Sequence, residues 1–187
     1  MLRIDAAGRT SQESLWAGEF GSEYSLRNRG TDLVVANEEL FRKVLARAEG
    51  IHSVLELGCN IGNNLKALRG LLPDAELHGV EINPEAAAEV SAWGGATVEV
   101  GSLLDRPVDR SYDLTFTKGV LIHVAPERLL DAYRALTQAS RACLHKRCMS
   151  GVHCRVHVAD EGVYRWAVGS DRGVDAVLGW QAGQAVS

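Results

Sequence analysis

The segment VLELGCNIGNN, residues 54–64, constrains the fold more than any other part of the sequence. It joins an apolar run to a turn that contains Gly58 and Gly62, and it places one acid, Glu56, inside the apolar run. Glycine lets a chain turn sharply and lets its backbone approach a ligand, because no Cβ stands in the way. A helix that begins after such a turn points its first amides at the ligand. The segment therefore predicts a strand, a ligand-binding turn and a helix.

Apolar strands and amphipathic helices alternate on both sides of this turn. Four segments are typical of buried strands: IHSVLELG, ELHGVEI, ATVEV and SYDLTFTKG. Three are typical of helices: GNNLKALRGLLP, NPEAAAEVSAW and PERLLDAYRALTQASR. This alternation predicts an α/β fold with a mostly parallel central sheet and helices on both faces. Ligands of such sheets bind beyond the carboxyl ends of the strands, where the glycine turn should lie.

The sequence before the first strand predicts two further helices. Trp16, Phe20 and Tyr24 recur at every fourth position, so residues 11–30 should form one helix with an aromatic face. A second helix, LVVANEELFRKVLARAEG, should be capped by Thr31 or Asp32 and stop at Gly50. We divide the single domain into an N-terminal helical lid (1–50), an α/β core (51–141) and an atypical tail (142–187).

Charge and apolar content exclude several classes of function. The 187-residue chain is long enough for one domain with its own core, and its net charge of −4 disfavours binding to nucleic acid. No apolar run approaches the roughly 20 residues of a membrane helix. The start, MLRIDAAGRTSQES, lacks the apolar centre of a secretory signal. We therefore expect a cytoplasmic protein that binds neither membranes nor nucleic acid; the sequence does not indicate an oligomeric state.

The spacing of acids and glycines around the turn indicates the ligand. The pattern is Glu56, Gly58, Gly62, which lacks the middle glycine of the dinucleotide fingerprint and the Lys-Ser/Thr pair of a P-loop. An acid before the turn would oppose a phosphate and suits a cationic ligand. Glu81, at the end of the second strand, can accept hydrogen bonds from both ribose hydroxyls. S-adenosyl-L-methionine (SAM) meets these requirements; a nicotinamide-dependent oxidoreductase is the alternative.

Four segments carry a resemblance to a known family: LWAGEFGSEYSLRN (15–28), VLELGCNIGNNLKAL (54–68), LLPDAELHGVEIN (71–83) and YDLTFTKGVLIHVAPERL (112–129). The chain resembles class I SAM-dependent methyltransferases and, more narrowly, the methylases associated with pseudaminic acid biosynthesis. The resemblance covers residues 11–141 and implies a Rossmann-like SAM methyltransferase fold with sheet order 3-2-1-4-5-7-6. It implies a methyl acceptor that is a small molecule, a sugar acid or a related precursor in surface-glycan synthesis.

The resemblance also implies roles for individual residues. Those on the methionine and ribose side of SAM would be Glu56, Gly58, Asn60, Gly62, Asn64 and Glu81. Those against the adenine would be Ile82, Gly101, Ser102 and Leu103. Those near the transferring methyl would be Lys118, Gly119 and Val120. Those that form a lid would be Trp16, Tyr24, Arg27 and Asn28. Catalysis is assigned to Lys118 and to His123, whose ordinary pKa near neutrality suits a base for a hydroxyl acceptor.

The tail departs from the family pattern after Arg141. A fifth parallel strand should begin near Ala142, VHCRVHV and VYRWAV should form an antiparallel pair, and GWQAGQAVS should be a loose end. Either divergence or a shifted reading frame would explain the change in composition. If the acceptor region is altered, the chain could be a SAM-binding remnant without turnover. The tail is rich in cysteine and histidine, but their spacings do not match paired zinc motifs, so we assign no metal site.

Overall fold

The computed structural model describes residues 4–46, 48, 50–105, 110–147, 153–160, 163–170 and 173–181, with side chains described up to residue 140. The helices are α1 (Ser11–Ala17), α2 (Glu19–Arg27), α3 (Thr31–Leu45), α4 (Asn63–Leu71), α5 (Pro84–Trp93) and α6 (Leu129–Gln138). The strands are β1 (Ser53–Leu57), β2 (Glu76–Glu81), β3 (Thr97–Val100), β4 (Tyr112–Lys118), β5 (Ser140–Arg147), β6 (His153–Asp160), β7 (Val163–Ser170) and β8 (Gly173–Gln181). Short 3₁₀ turns span Leu121–His123 and Pro126–Arg128.

The described strands form one sheet in the order β3-β2-β1-β4-β5-β6-β7-β8. Strands β1 to β5 pair in parallel, and β1 lies between β2 and β4. The strand order therefore reverses at β1 and β4, which is where an open α/β sheet binds its ligand. The predicted α/β fold with a mostly parallel sheet is confirmed.

Side chains alternate along β1 into two buried clusters, as the two-residue period of a strand requires. Val54 belongs to a cluster with Phe41 of α3 and Leu68 of α4. Leu55 belongs to a second cluster, with Leu136 of α6. Each fully buried aliphatic or aromatic side chain stabilises the fold by about 1.5–3 kcal/mol. These two clusters fix the sheet between its helices and hold the carboxyl ends of its strands in place.

The N-terminal region differs from the single helix that the aromatic spacing predicts. Gly18 has extended backbone angles (φ −103°, ψ −157°) and divides the segment into α1 and α2. The aromatic cluster persists across this break, because the Trp16 ring lies 5.1 Å from the rings of both Phe20 and Tyr24. Helix α3 begins at Thr31 with Gly30 as its N-cap, so neither Thr31 nor Asp32 caps it, and it ends at Leu45, well before Gly50. In the described part of the chain no helix has the length and apolar character needed to cross a membrane.

The order of the last strands also differs from the expected 5-7-6. Strand β5 runs parallel to β4, as predicted near Ala142, and β6 and β7 form the predicted antiparallel pair. However, β6 pairs with β5, and β7 then pairs with β8. Only two residues separate β6 from β7 and β7 from β8, and such short links join neighbouring antiparallel strands. Residues 179–181 of the expected loose end are part of β8; residues 182–187 lie outside the described residues.

Candidate active site

A cavity of about 300 Å³ opens at the carboxyl ends of the parallel strands. Segments after four neighbouring strands contribute to its wall, so the sheet order fixes which groups are adjacent. The lining residues from the core that the sequence predicted are Gly58, Asn60, Asn64, Glu81, Ile82, Gly101, Ser102, Leu103, Lys118, Gly119, Val120 and His123. The structure therefore brings most of the predicted site residues to one place.

The turn after β1 is held close to the turn after β4. Gly58 has φ +78°, and a Cβ on it would lie 2.5 Å from Cγ2 of Val120, so a side chain is excluded. Its N–H and that of Cys59 both donate to the Val80 carbonyl, at 2.8 and 3.1 Å. Gly62 has φ +77° and begins α4, but it faces Val90 and does not line the cavity. Gly62 therefore allows close packing against Val90 at the start of α4, and its predicted contact with SAM stays a prediction.

Glu81 is the carboxylate that ends β2, and it is 7% exposed. It accepts hydrogen bonds from the backbone N–H of Asn60 at 2.7 Å and of Asn83 at 2.9 Å. Burial raises its pKa, and these backbone bonds oppose the rise. An ionised carboxylate has about four lone-pair positions, so both oxygens can still accept from a ligand. The predicted ribose acceptor thus lines the cavity with its orientation already fixed.

Glu56 does not line the cavity, contrary to the prediction. It is fully buried in β1 on the α4 side, and Asn64 Nδ2 donates to its Oε1 at 2.5 Å. Burial raises its pKa to about 8, although the Asn64 bond and the positive charge of Lys118 oppose the rise. Among the described atoms, Glu56 Oε2 and Asn64 Oδ1 have no hydrogen-bond partner. Glu56 is therefore linked to the cavity through Asn64, which does line it.

The two predicted catalytic residues enter the cavity from the end of β4 and the turn after it. Lys118 Nζ donates to Asn37 Oδ1 of α3 at 2.9 Å. The His123 ring lies 4.5 Å from the Trp16 ring, in the 3₁₀ turn Leu121–His123. Burial lowers the pKa of His123, so its imidazole is neutral near pH 7 and can accept a proton. The cavity thus combines a cation with a neutral base.

The wall beside β3 contains a carboxylate that the sequence analysis missed. Glu13 of α1 lines the cavity, is 9% exposed and accepts a hydrogen bond from Ser102 Oγ. It also accepts from the backbone N–H of Thr10 at 2.8 Å, and Thr10 caps α1 in return. The Thr-x-x-Glu pattern would have identified this capping box and hence the start of α1. Nothing local indicates the contact with Ser102, which lies 89 residues away.

Asparagines of the core hold the N-terminal helices over the cavity. Asn60 Nδ2 donates to Ser25 Oγ at 2.8 Å, and Asn63 Nδ2 donates to the Asn28 carbonyl at 2.8 Å. Asn83, whose Oδ1 caps α5, donates from Nδ2 to the carbonyls of Trp16 and Gly18 and to Ser22 Oγ at 3.1–3.2 Å. Of the four residues predicted to form a lid over the site, Trp16, Tyr24 and Asn28 line the cavity.

Arg27 does not line the cavity with the other predicted lid residues. Its guanidinium lies over the Tyr24 ring, 5.8 Å from the ring centre. Its contribution is therefore to support an aromatic residue of the lid.

No cluster of metal-ligating side chains occurs among the described residues. Cys59 is buried, free of disulfides and part of the glycine turn that lines the cavity, and burial raises the pKa of its thiol. Of the tail cysteines, Cys148 lies outside the described residues, and the side chains of Cys143 and Cys154 are not described. The prediction about metal in the tail stays a prediction.

Known proteins share this fold and part of this sequence. Residues 55–145 match the family Methyltransf_12, described as a methyltransferase domain. A protein of Staphylococcus carnosus (strain TM300) named "Uncharacterized methyltransferase" is 25% identical over 122 residues, which cover 65% of this chain. The chain spans 57% of the length of that relative.

Solved structures resemble most of the chain. The sugar N-methyltransferase KedS8 from Streptoalloteichus sp ATCC 53650 superposes with a TM-score of 0.56 at 19% identity, covering 88% of this chain and 78% of its own. SAM-bound CalS10, an amino pentose methyltransferase from Micromonospora echinaspora, superposes with a TM-score of 0.58 at 15% identity, covering 85% and 79%. The sequence match over residues 55–145 and the shared fold make this part of the chain similar to methyltransferase domains.

Proposed function

We propose that this protein transfers a methyl group from SAM to a small-molecule acceptor. The observation that carries the proposal is the cavity at the reversal of strand order, where Glu81 and the glycine turn lie side by side. That place and those groups suit a ribose-bearing ligand without a pyrophosphate. The family match supports the same reaction class.

The residues of the cavity fit SAM in the order of the strands. Glu81 offers acceptors for the ribose hydroxyls, and Ser102 and Leu103 lie one strand further out, where the adenine would lie. Gly58 has no side chain, so the methionine moiety of SAM can approach the backbone of this turn. Bound SAM would supply an electrophilic methyl group on a sulfonium, so the protein's task is to align the acceptor and exclude water.

His123 and Lys118 would act on the acceptor. A hydroxyl acceptor must lose its proton as the new bond forms, and the neutral imidazole of His123 can take it. A neutral amine acceptor is already nucleophilic and does not require a dedicated base. Lys118, held by Asn37, places a positive charge where it can orient an anionic group of the acceptor.

We further propose that the acceptor is a sugar acid or a related sugar precursor, as in pseudaminic acid and surface-glycan synthesis. The resemblance of the segments 15–28 and 112–129 motivates this narrower proposal. The solved relatives named above, one a sugar N-methyltransferase and one an amino pentose methyltransferase, support an acceptor of the sugar class.

The first experiment is a thermal-shift titration with SAM, S-adenosylhomocysteine and NAD. A ligand that binds only the folded state raises Tm by mass action, by an amount equivalent to about 2.7 kcal/mol at a hundredfold excess over Kd. We expect a rise with the two adenosyl ligands and none with NAD. Glu81→Ala should abolish the rise, whereas Glu85→Ala, an exposed carboxylate in the first turn of α5, should preserve it. A shift with NAD alone would favour the oxidoreductase alternative and overturn the proposal.

Methyl transfer to a panel of sugar acids and amino sugars is the second experiment. The order of β6, β7 and β8 differs from 5-7-6, which favours an altered acceptor region and hence the second candidate, a SAM-binding remnant. Transfer that depends on His123 or Lys118 would support the enzyme. Cofactor binding without transfer to any sugar of the panel would support the remnant.

A further inference from the structure

The N-terminal lid brings a carboxylate to the end of the cavity that lies furthest from Lys118. Ser102 follows β3, Lys118 ends β4, and β2 and β1 lie between them. Neighbouring strands are about 4.8 Å apart, so these two ends of the cavity are separated by about 14 Å. Glu13 contacts Ser102 and therefore lies at the β3 end of the cavity, away from Lys118. Its place in the cavity requires a different explanation from that of Lys118.

The hydrogen bonds of Glu13 leave it with spare acceptor capacity. Its Oε1 accepts from Ser102 Oγ and its Oε2 accepts from the Thr10 backbone N–H, which together use half of its four lone-pair positions. Ser102 donates its only hydroxyl proton to Glu13, and its Oγ accepts a hydrogen bond from the backbone N–H of Leu104 at 3.1 Å. This end of the cavity therefore presents oxygens that accept hydrogen bonds.

Glu13 remains ionised in this position. Burial raises the pKa of its carboxyl, but the hydrogen bonds from Ser102 and Thr10, with the nearby positive charge of Arg128, outweigh the burial and lower it below its usual range. An ionised carboxylate can only accept hydrogen bonds. It attracts an amine and repels a carbonyl oxygen.

Purines differ at the atom that such a group would contact. Adenine carries an exocyclic amine at carbon 6, which donates, whereas guanine carries a carbonyl oxygen there, which accepts. Hypoxanthine, the base of inosine, has the same carbonyl. We propose that Glu13 reads the exocyclic amine of the adenine and makes the site selective for an adenosyl over an inosyl cofactor. This inference rests on the proposed SAM-binding function, and it assigns to the lid a part in choosing the cofactor.

The test is calorimetric titration of the full chain with S-adenosylhomocysteine and S-inosylhomocysteine. Hydrogen bonds to charged groups correspond to differences of about ten- to a hundredfold in affinity, so the wild type should prefer the adenosyl ligand by at least about tenfold. Glu13→Gln should weaken adenosyl binding by a similar factor and tighten inosyl binding, because the glutamine amide can donate to the carbonyl. Glutamine also preserves the capping box at the start of α1. Glu19→Gln, on an exposed site of α2, is the matched control and should leave both affinities unchanged.

Three outcomes would overturn the inference, and one of them concerns the proposed function itself. If Glu13→Gln leaves both affinities unchanged, Glu13 does not contact the base. If it weakens both ligands equally, Glu13 only positions the lid. If the wild type binds neither ligand, the proposed function fails first. A ratio that moves toward the inosyl ligand, with an unaltered Tm, would establish the role of Glu13.

Discussion

Replacing Glu56 by glutamine should change how the stability of this protein depends on pH. Glu56 is fully buried, and its pKa rises from the ordinary 4.5 to about 8. Between these two values the folded state binds more protons than the unfolded state, because Glu56 is protonated only when folded. The free energy of unfolding must therefore fall as pH rises through this window. Glutamine has a similar shape but no ionisable group, so the substitution should remove this fall in the free energy of unfolding.

The magnitude follows from the width of the window. It spans about 3.5 pH units, and one unit corresponds to about 1.4 kcal/mol, so the upper limit is about 5 kcal/mol. Relaxation and water penetration reduce the penalty for a buried charge, so we expect about 2–4 kcal/mol between pH 5 and pH 8.5. This is a large part of the 5–15 kcal/mol that ordinarily stabilises a domain.

Urea denaturation at several pH values, without cofactor, measures this difference. The wild type should lose stability relative to Glu56→Gln as pH rises, and the two should approach each other near pH 5. Glu127→Gln, an exposed carboxylate in the 3₁₀ turn Pro126–Arg128, should follow the wild type at every pH. Parallel profiles for the wild type and Glu56→Gln would refute the reasoning, because Glu56 would then be ionised in the folded protein.

Two further predictions concern the lid and the base. A Cβ at Gly21 would overlap the Trp16 carbonyl and lie 2.9 Å from Asn83 Nδ2. Gly21→Ala should therefore lower the free energy of unfolding by about 1–3 kcal/mol and weaken S-adenosylhomocysteine binding, as calorimetry and thermal melting would measure. A Gly21→Ala variant that behaved like Glu23→Ala, an exposed change on α2, would contradict this prediction. Burial lowers the pKa of His123, so the pH at which methyl transfer to a hydroxyl reaches half of its maximal rate should lie below the ordinary 6.5 of histidine. His123→Gln should lower kcat about a hundredfold and leave cofactor affinity unchanged; an unaltered pH–rate profile would exclude His123 as the base.

Local sequence was sufficient wherever short-range interactions decide the structure. Asn83 and Pro84 predicted the start of α5, and the structure shows the Asn83 side chain accepting from the N–H groups of Glu85 and Ala86. The glycine turn was predicted from Gly58 and Gly62, and both have positive φ. The parallel sheet was predicted from alternating strands and helices. In each case neighbouring residues make the deciding contacts.

The position of Glu56 could have been predicted more accurately. Alternation along β1 places Glu56 on the same side of the sheet as Val54, which packs under α3 and α4. Side chains on that face of the sheet point toward α3 and α4, whereas the cavity lies beyond the carboxyl ends of the strands. The two-residue alternation of side chains along β1 therefore predicts that Glu56 is buried under the helices and does not line the cavity.

The lid could not be predicted from periodicity. The aromatic spacing of residues 16–24 favours one helix, but α1 and α2 separate at Gly18 so that Asn83 can reach the carbonyls of Trp16 and Gly18. The arrangement of the lid therefore depends on contacts between residues that are distant in the chain.

The sequence by itself determined the α/β class, the glycine turn and Glu81 as the acid at the end of β2. Each of these depends on propensity, period or backbone freedom within a few residues. Only the tertiary structure placed Glu13 against Ser102 and Glu56 behind Asn64. Both pairs form when separate elements pack together, and the burial that follows sets the pKa of each acid. Packing between elements therefore decided which of the acids line the cavity and in which state of charge.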